Sequence, residues 1–247
     1  MNKYFSPEAM KTFEVFSNTH FLAIVIIIFF NFFIYFLFKK KYSFQKDKYF
    51  RITLGIILLL AELSLILWYI FTSQFDMGIS LPFHLCRLAN IFIAVMLFLD
   101  SRKLYKIMYF IGLGASLPAL ITPDLPYNFP HFGYIKFFIG HGGMLTAVLY
   151  MTAIKKYRPD FKSVIKTFIY LNVAIPFIAL INIITGGNYF YLSHKPSGFS
   201  LMNFLNEWPW YILNIEIIVF IIFIIFYIPF LVNDDLIPKI NFKENFE

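Results

Sequence analysis

Two long apolar runs, FLAIVIIIFFNFFIYFLF (21–38) and YILNIEIIVFIIFIIFYIPFLV (211–232), set the first constraint on this chain. A helix needs about 20 predominantly apolar residues to cross the hydrocarbon core of a bilayer, and both runs qualify. Lipid offers no partner for a free backbone N–H or C=O, so each run must be helical. The composition agrees: 60% of the residues are hydrophobic, against roughly 45–50% in a soluble domain. We therefore expect an all-α polytopic membrane protein, with residues 1–247 forming one transmembrane helical domain. Seven spans are expected, near 19–38, 51–71, 82–99, 104–122, 132–154, 163–185 and 210–231. The chain shows no internal repeat, no low-complexity linker and no separate soluble domain.

The lysines and arginines give the orientation, because cytoplasmic loops accumulate them. Lys39, Lys40, Lys41, Lys46, Lys48 and Arg51 follow the first span, and Arg102, Lys103 and Lys106 follow the third. Lys155, Lys156, Arg158, Lys162 and Lys166 follow the fifth, and Lys239 and Lys243 follow the seventh. Sixteen basic residues thus fall on one side and four on the other, alternating through all seven spans. The expected N-terminus is outside and the C-terminus cytoplasmic, in a multi-pass protein of the bacterial plasma membrane. The net charge of +7 is accounted for by this asymmetry and by attraction to anionic headgroups, without a nucleic-acid partner. The basic cluster follows the first apolar run, so a cleaved signal peptide is not expected there. A single cysteine excludes an intramolecular disulfide.

The third span opens with LPFHLCRLAN (81–90), which sets His84, Cys86, Arg87 and Asn90 into an apolar segment. On a helix, His84, Arg87 and Asn90 follow one another in steps of about 60°, with Cys86 about 40° beyond Asn90. One side of this helix faces something polar. Given the topology, Glu62, Asn182, Asn214 and Glu216 fall in the same outer half of the membrane, as does His141. Ionisable groups at that depth cost about 2.5–3.5 kcal/mol each near a helix centre, so Arg87 is expected to pair with Glu62 or Glu216. Such a pair is as compatible with a structural salt bridge as with a functional site.

His84 and Cys86 lie about 160° apart on the helix, too far to grip one metal ion as an i, i+4 pair does. No metal and no cofactor is expected. Cysteine chemistry remains open, because a nearby imidazole or cation raises the reactive thiolate fraction. His141 stands in IGHGGML among Gly140, Gly142 and Gly143, small residues that let helices approach closely in membranes. Cys86 as a small buried hydrophobe and His141 as an interhelical donor is the equally simple alternative.

Five motifs carry a family resemblance: LPFHLC, LITPDLP, FFIGHGG, GGNYFYLSHKP and NEWPWY. In this order and spacing they resemble the bacterial YwaF family of integral membrane proteins, over roughly residues 78 to 230. The first 75 residues resemble it only as generic spans. That family is remotely similar to the eukaryotic transmembrane protein 164 family, regarded as phospholipid acyltransferases with a membrane cysteine and histidine. The resemblance implies Cys86 as nucleophile and His141 as base. Acyl transfer through a thioester also needs oxyanion donors, for which Arg87, Asn90, Asn182 and Asn188 are candidates. Gly186 and Gly187 with NYFYL suggest a mobile lid.

The resulting expectation is a membrane-embedded lipid acyltransferase with a membrane phospholipid as substrate. Its site comprises Cys86 and His141, with His84, Arg87, Asn90, Asn182, Asn188, Glu62 and Glu216 lining a substrate pocket. The competing expectation is a binding or proton-coupled transport protein whose Glu62, Arg87 and Glu216 line an intramembrane path.

Overall fold

The computed structural model describes residues 3–8, 12–196 and 201–232. Seven α-helices follow in chain order: α1 Asn18–Lys40, α2 Phe44–Phe71, α3 Leu85–Leu99, α4 Arg102–Ile121, α5 Phe132–Ala153, α6 Phe161–Thr185 and α7 Trp210–Val232. The fold is all-α and polytopic, with no strand among the described residues. Six of these helices are long and apolar enough to cross a membrane. The 15-residue α3 rises only about 22 Å, short of a hydrocarbon core about 30 Å thick.

The shortfall lies at the start of α3, which begins at Leu85 and not at residue 82. Irregular backbone at membrane depth survives only where protein satisfies its polar groups, and here it does. The carbonyls of Ser80 and Leu81 each accept from Arg87 Nη1 at 2.8 Å. The Leu81 N–H donates to Tyr189 Oη at 3.1 Å. His84 therefore leaves the helical wheel: it is the extended N-cap residue and does not share a face with Arg87 and Asn90. The other helix starts carry the expected chemistry. Ser43 and Ser101 accept from Lys46 N and Leu104 N, and Asp160 with Ser163 forms a capping box on α6. Gly186, at φ +67°, ends α6 in the left-handed region that glycine enters without strain.

Helices α2, α3, α4 and α5 form the packed centre, with α1 against α5, α6 against α4, and α7 against α4 and α6. Leu58, Ile93, Met96, Leu97, Phe110, Met144, Val148 and Met151 are fully buried there. The glycines of α5 explain its central place. A Cβ on Gly140 would come within 3.2 Å of Asn90 Nδ2 on α3, and one on Gly143 within 2.9 Å of Leu58 on α2. On Gly142 it would come within 2.9 Å of Ile27 on α1. Lipid tails are as apolar as leucine, so close packing of small residues is what joins such helices. Phe29, Phe32, Ile183 and Ile217 on the outer helices stay exposed, as lipid-facing residues should.

The loops rich in lysine and arginine gather at one end of the bundle, here the basic face; Lys239 and Lys243 lie outside the described residues. A charge network fastens this end. Asp47, wholly buried, accepts from Arg51 Nε at 3.0 Å, Tyr150 Oη at 2.8 Å and Lys155 Nζ at 3.2 Å. Lys155 also pairs with Asp100 at 2.8 Å, and Arg51 donates to the Leu97 carbonyl. Arg51 and Lys155, which sequence assigns to topology, thus also tie α2 to the ends of α3 and α5.

Removing the Asp47 carboxylate takes from Arg51, which is buried, and from Lys155 their shared carboxylate, and leaves both on Asp100 alone. Asp47→Ala is expected to lose about 3–5 kcal/mol of stability, and Tyr150→Phe about 1.5–3 kcal/mol for one hydrogen bond to a charged group. Thermal unfolding in neutral detergent checks both, and equal melting of all three proteins refutes the network's role. Sidedness is checked separately. Lys41→Cys and Gln74→Cys, each in a Cys86→Ala background, should label with a membrane-impermeant maleimide from opposite sides. The positive-inside rule expects labelling of Gln74→Cys in intact cells and of Lys41→Cys only after permeabilisation.

Candidate functional site

One carboxylate on α2 collects groups from two other helices at the end of the bundle opposite the basic face. Glu62 on α2 accepts from Arg87 Nε at 2.7 Å and Asn90 Nδ2 at 3.0 Å on α3, and from Lys136 Nζ at 3.0 Å on α5. Glu62 is 3% exposed and Arg87 4%, so the attraction acts with little screening by water. Of the two partners expected for Arg87, the structure selects Glu62. The arrangement holds two cations to one anion.

Lys136 is the member that sequence reading missed, because it lies one turn from the start of α5 and reads as an interfacial cation. Its spacing carried a signal. Lys136 and Gly140 are an i, i+4 pair on one face, and Gly140 is the residue that backs onto Asn90.

Two polar atoms in this cluster have no partner among the described residues: Arg87 Nη2 and Asn90 Oδ1, both buried. Buried polar atoms are rarely left unpaired, so a donor and an acceptor here await a further group. Cys86 stands beside them, one helical turn from Asn90 on the same face. It is half-buried and packs against the apolar core. Cys86 is also the second residue of α3, a helix without a side-chain cap. The N–H groups of Leu85 and Cys86 therefore lack intrahelical acceptors, as the first residues of any helix do. These backbone donors are a feature that no residue type announces.

His141 adjoins Gly140 and so sits at the level of Asn90. Its Nδ1 lies 2.9 Å from the Phe137 carbonyl, which only accepts, so Nδ1 carries the proton. In the neutral ring this leaves the lone pair on Nε2. The imidazole packs on the Phe137 ring at 4.2 Å between centroids. No hydrogen bond joins Cys86 to His141.

The remaining expected residues divide. The His84 ring packs against Tyr189 at 4.9 Å and Tyr191 at 5.6 Å. Asn182 spends both ends of its amide on Tyr189, accepting from its N–H at 2.8 Å and donating to its carbonyl at 3.0 Å. Asn188 bonds to Ser193 and His194 within its own loop. Neither asparagine offers its amide to the Cys86 region. Glu216 on α7 accepts from Asn172 on α6 at 2.8 Å, forming a second polar pair away from Arg87. The polar cluster is thus built by α2, α3 and α5, and α6 and α7 contribute no side chain to it.

The loop of Gly186 and Gly187 is not a loose lid. A Cβ on Gly187 would lie 2.6 Å from the Gly78 carbonyl oxygen, so the two backbones touch. Tyr189 is fully buried and its hydroxyl donates to the Met77 carbonyl at 2.6 Å. This loop clamps residues 77–81, the same segment that Arg87 holds from below.

Neutralising Glu62 tests the cluster as a structural unit. Glu62→Gln leaves Arg87 and Lys136 facing each other without a counter-charge, and is expected to cost about 3–5 kcal/mol. Glu216 is half-buried with no cation paired to it among the described residues, and a glutamine oxygen can still accept from Asn172, so Glu216→Gln should stay within about 0.5 kcal/mol of the parent. Thermal unfolding of both variants in one detergent decides, and similar losses would contradict this division of roles.

Comparison with known proteins follows from this geometry. No curated protein and no solved structure matches the chain. The model of the TMEM164 family matches residues 15–227, a stretch that runs from before α1 into the last turns of α7 and contains every residue of the Glu62 cluster, Cys86 and His141. This multi-pass membrane protein belongs to the TMEM164 family.

Proposed function

We propose that the chain is a membrane-embedded lipid acyltransferase in which Cys86 is the nucleophile and His141 the base. The observation that carries this reading is the unpartnered pair Arg87 Nη2 and Asn90 Oδ1, buried one turn from the only thiol in the chain. Family membership supports it, and the motifs from LPFHLC to NEWPWY favour a bacterial YwaF-type branch in the plasma membrane. The substrate is a membrane phospholipid whose ester carbonyl reaches Cys86.

The chemistry divides into two balanced steps. His141 Nε2 takes the thiol proton while Cys86 Sγ attacks the ester carbonyl, and the tetrahedral oxyanion forms. Arg87 Nη2 and the N–H groups of Leu85 and Cys86 are the donors available to that oxyanion. Its collapse breaks the ester C–O bond; the leaving lipid hydroxyl takes the proton from His141, and the acyl group stays as a thioester. In the second step His141 deprotonates an acceptor hydroxyl, which attacks the thioester and restores the thiol. The imidazole must close on the thiol when substrate enters, as catalytic hydrogen bonds often tighten only in the reacting complex. Glu62 and Lys136 position Arg87 and take no part in proton transfer.

The three-helix ion cluster also favours a second reading, a binding or transport protein with Glu62, Arg87 and Lys136 on the path of a polar substrate. Proteoliposomes with a diacyl phospholipid and a lysophospholipid acceptor separate the two, with products followed by mass spectrometry. Cys86→Ala and His141→Ala should each reduce transfer by at least about a hundredfold, and the double variant should be no slower than either. A long-chain iodoacetamide should label the parent at Cys86, more slowly without His141. Full activity of Cys86→Ala would end the thioester mechanism and move the transport reading to first place.

A further inference from the structure

Asn172 on α6 and Glu216 on α7 form a polar pair that neither the Glu62 cluster nor the network on the basic face uses. Asn172 stands about 16 Å from the start of α6 and about 20 Å from its end, which is mid-depth for a span. Its side chain is exposed there, and Glu216 is half-buried. The surface around them is apolar: Ile169, Val173 and Phe177 on α6 and Leu213 and Ile217 on α7 are all exposed. Intramembrane ionisable groups almost always face a bundle interior or a cavity and not lipid. This carboxylate lies on the outer side of the bundle.

The hydrogen bonds of the pair do not close. Asn172 Nδ2 donates to the Phe168 carbonyl at 3.0 Å and to Glu216 Oε2 at 2.8 Å, which uses both of its hydrogens. Asn172 Oδ1 and Glu216 Oε1 have no donor among the described residues, and no cation there pairs with Glu216. Pro176 stands four residues after Asn172 inside α6. Proline has no N–H, so the Asn172 backbone carbonyl loses its usual i+4 donor. Three acceptors, one of them charged, thus meet on one face at the same depth. In the hydrocarbon region groups of this kind are satisfied by neighbouring helices.

The chemistry of the unmet groups selects the neighbour. Lipid tails offer no donor, and headgroup cations stay at the membrane surface. A second copy of this chain is a poor complement. A two-fold contact sets the same patch against itself, and here that brings acceptors and negative charge to acceptors and negative charge. The exposed apolar residues of the patch supply no donor, and Asn172 Nδ2 is already engaged. A spanning helix with a lysine or arginine at mid-depth meets every requirement. It supplies several N–H donors and the missing positive charge, and its own cation cannot be left in lipid either.

We propose that the α6–α7 face centred on Asn172 and Glu216 docks a transmembrane helix of another protein, through a lysine or arginine that pairs with Glu216. The surface is independent of the Cys86 chemistry, because α6 and α7 contribute no side chain to the Glu62 cluster. It makes the chain one subunit of a membrane complex.

The test uses model spanning peptides of leucine and alanine with lysine, leucine or glutamate at the central position. Energy transfer is measured in dioleoylphosphatidylcholine liposomes, from a dye on Lys41→Cys of the full chain in a Cys86→Ala background to a dye on the peptide terminus. The lysine peptide should associate about tenfold more tightly than the leucine peptide, as a strong interhelical polar contact provides, and the glutamate peptide no more tightly than leucine. Equal association of the lysine and leucine peptides overturns the proposal, and this comparison needs no variant of the face. Adding Asn172→Leu and Glu216→Gln should abolish the preference for lysine; a variant that keeps it shows that the peptide docks elsewhere, and the proposal falls. A last arm measures energy transfer between two labelled copies of the chain. Self-association of the parent that the double substitution removes would assign this face to a second copy, against the docking of a cationic helix.

Discussion

The Arg87–Glu62 ion pair is the interaction on which the rest of this structure depends. An unpaired guanidinium at membrane depth is costly, and α3 places one in its first turn. The pair at 2.7 Å fixes α3 to α2, and the remaining donors of Arg87 are spent on the irregular backbone just before α3. Without Nη1 on the Ser80 and Leu81 carbonyls, those oxygens would be left unsatisfied inside the protein. One side chain thereby satisfies the irregular backbone that precedes a 15-residue helix. It also leaves a single donor, Nη2, buried without a partner.

Charge is managed differently at the two ends of the bundle. On the basic face, Asp47, Arg51, Asp100 and Lys155 neutralise one another and lock the ends of α2, α3 and α5. At the opposite end Glu62 meets both Arg87 and Lys136, so that cluster keeps one positive charge in excess and two unpartnered polar atoms. A closed network is what structure alone requires; an incomplete one, with a thiol beside it, is what a substrate site requires. The contrast between the two clusters is the physical reason for looking for chemistry at Cys86 and not at Asp47.

The GHGG stretch links the site to the packing of the bundle. Its three glycines let α5 approach α3, α2 and α1 at one level, and the histidine among them is thereby brought to the depth of Asn90. A bulkier residue at any of the three would push one helix away. Packing of this kind matters more in lipid than in water, because burial of apolar surface gives no preference between a helix and a lipid tail.

Hydrophobic runs fixed the seven helices to within a few residues, because transfer into lipid is a local property of some 20 residues at a time. The same locality made Arg87, Glu62 and Asn90 legible as groups that needed partners. It did not disclose which partners. Glu216 was as good a candidate as Glu62 by depth, and only the packing of α3 between α2 and α5 chose between them. Lys136 read as an interfacial cation, the contacts of the Gly186–Leu192 loop with residues 77–81 were not foreseen, and α3 read as starting three residues early. These differences have one cause: the satisfaction of a polar group by a residue distant in sequence is invisible to periodicity and hydropathy. The sequence alone determined that the chain is a bundle of apolar helices fit for a membrane and which residues would be expensive there. Tertiary structure decided which of those residues meet, since in a bilayer that choice rests on close packing and hydrogen-bond geometry.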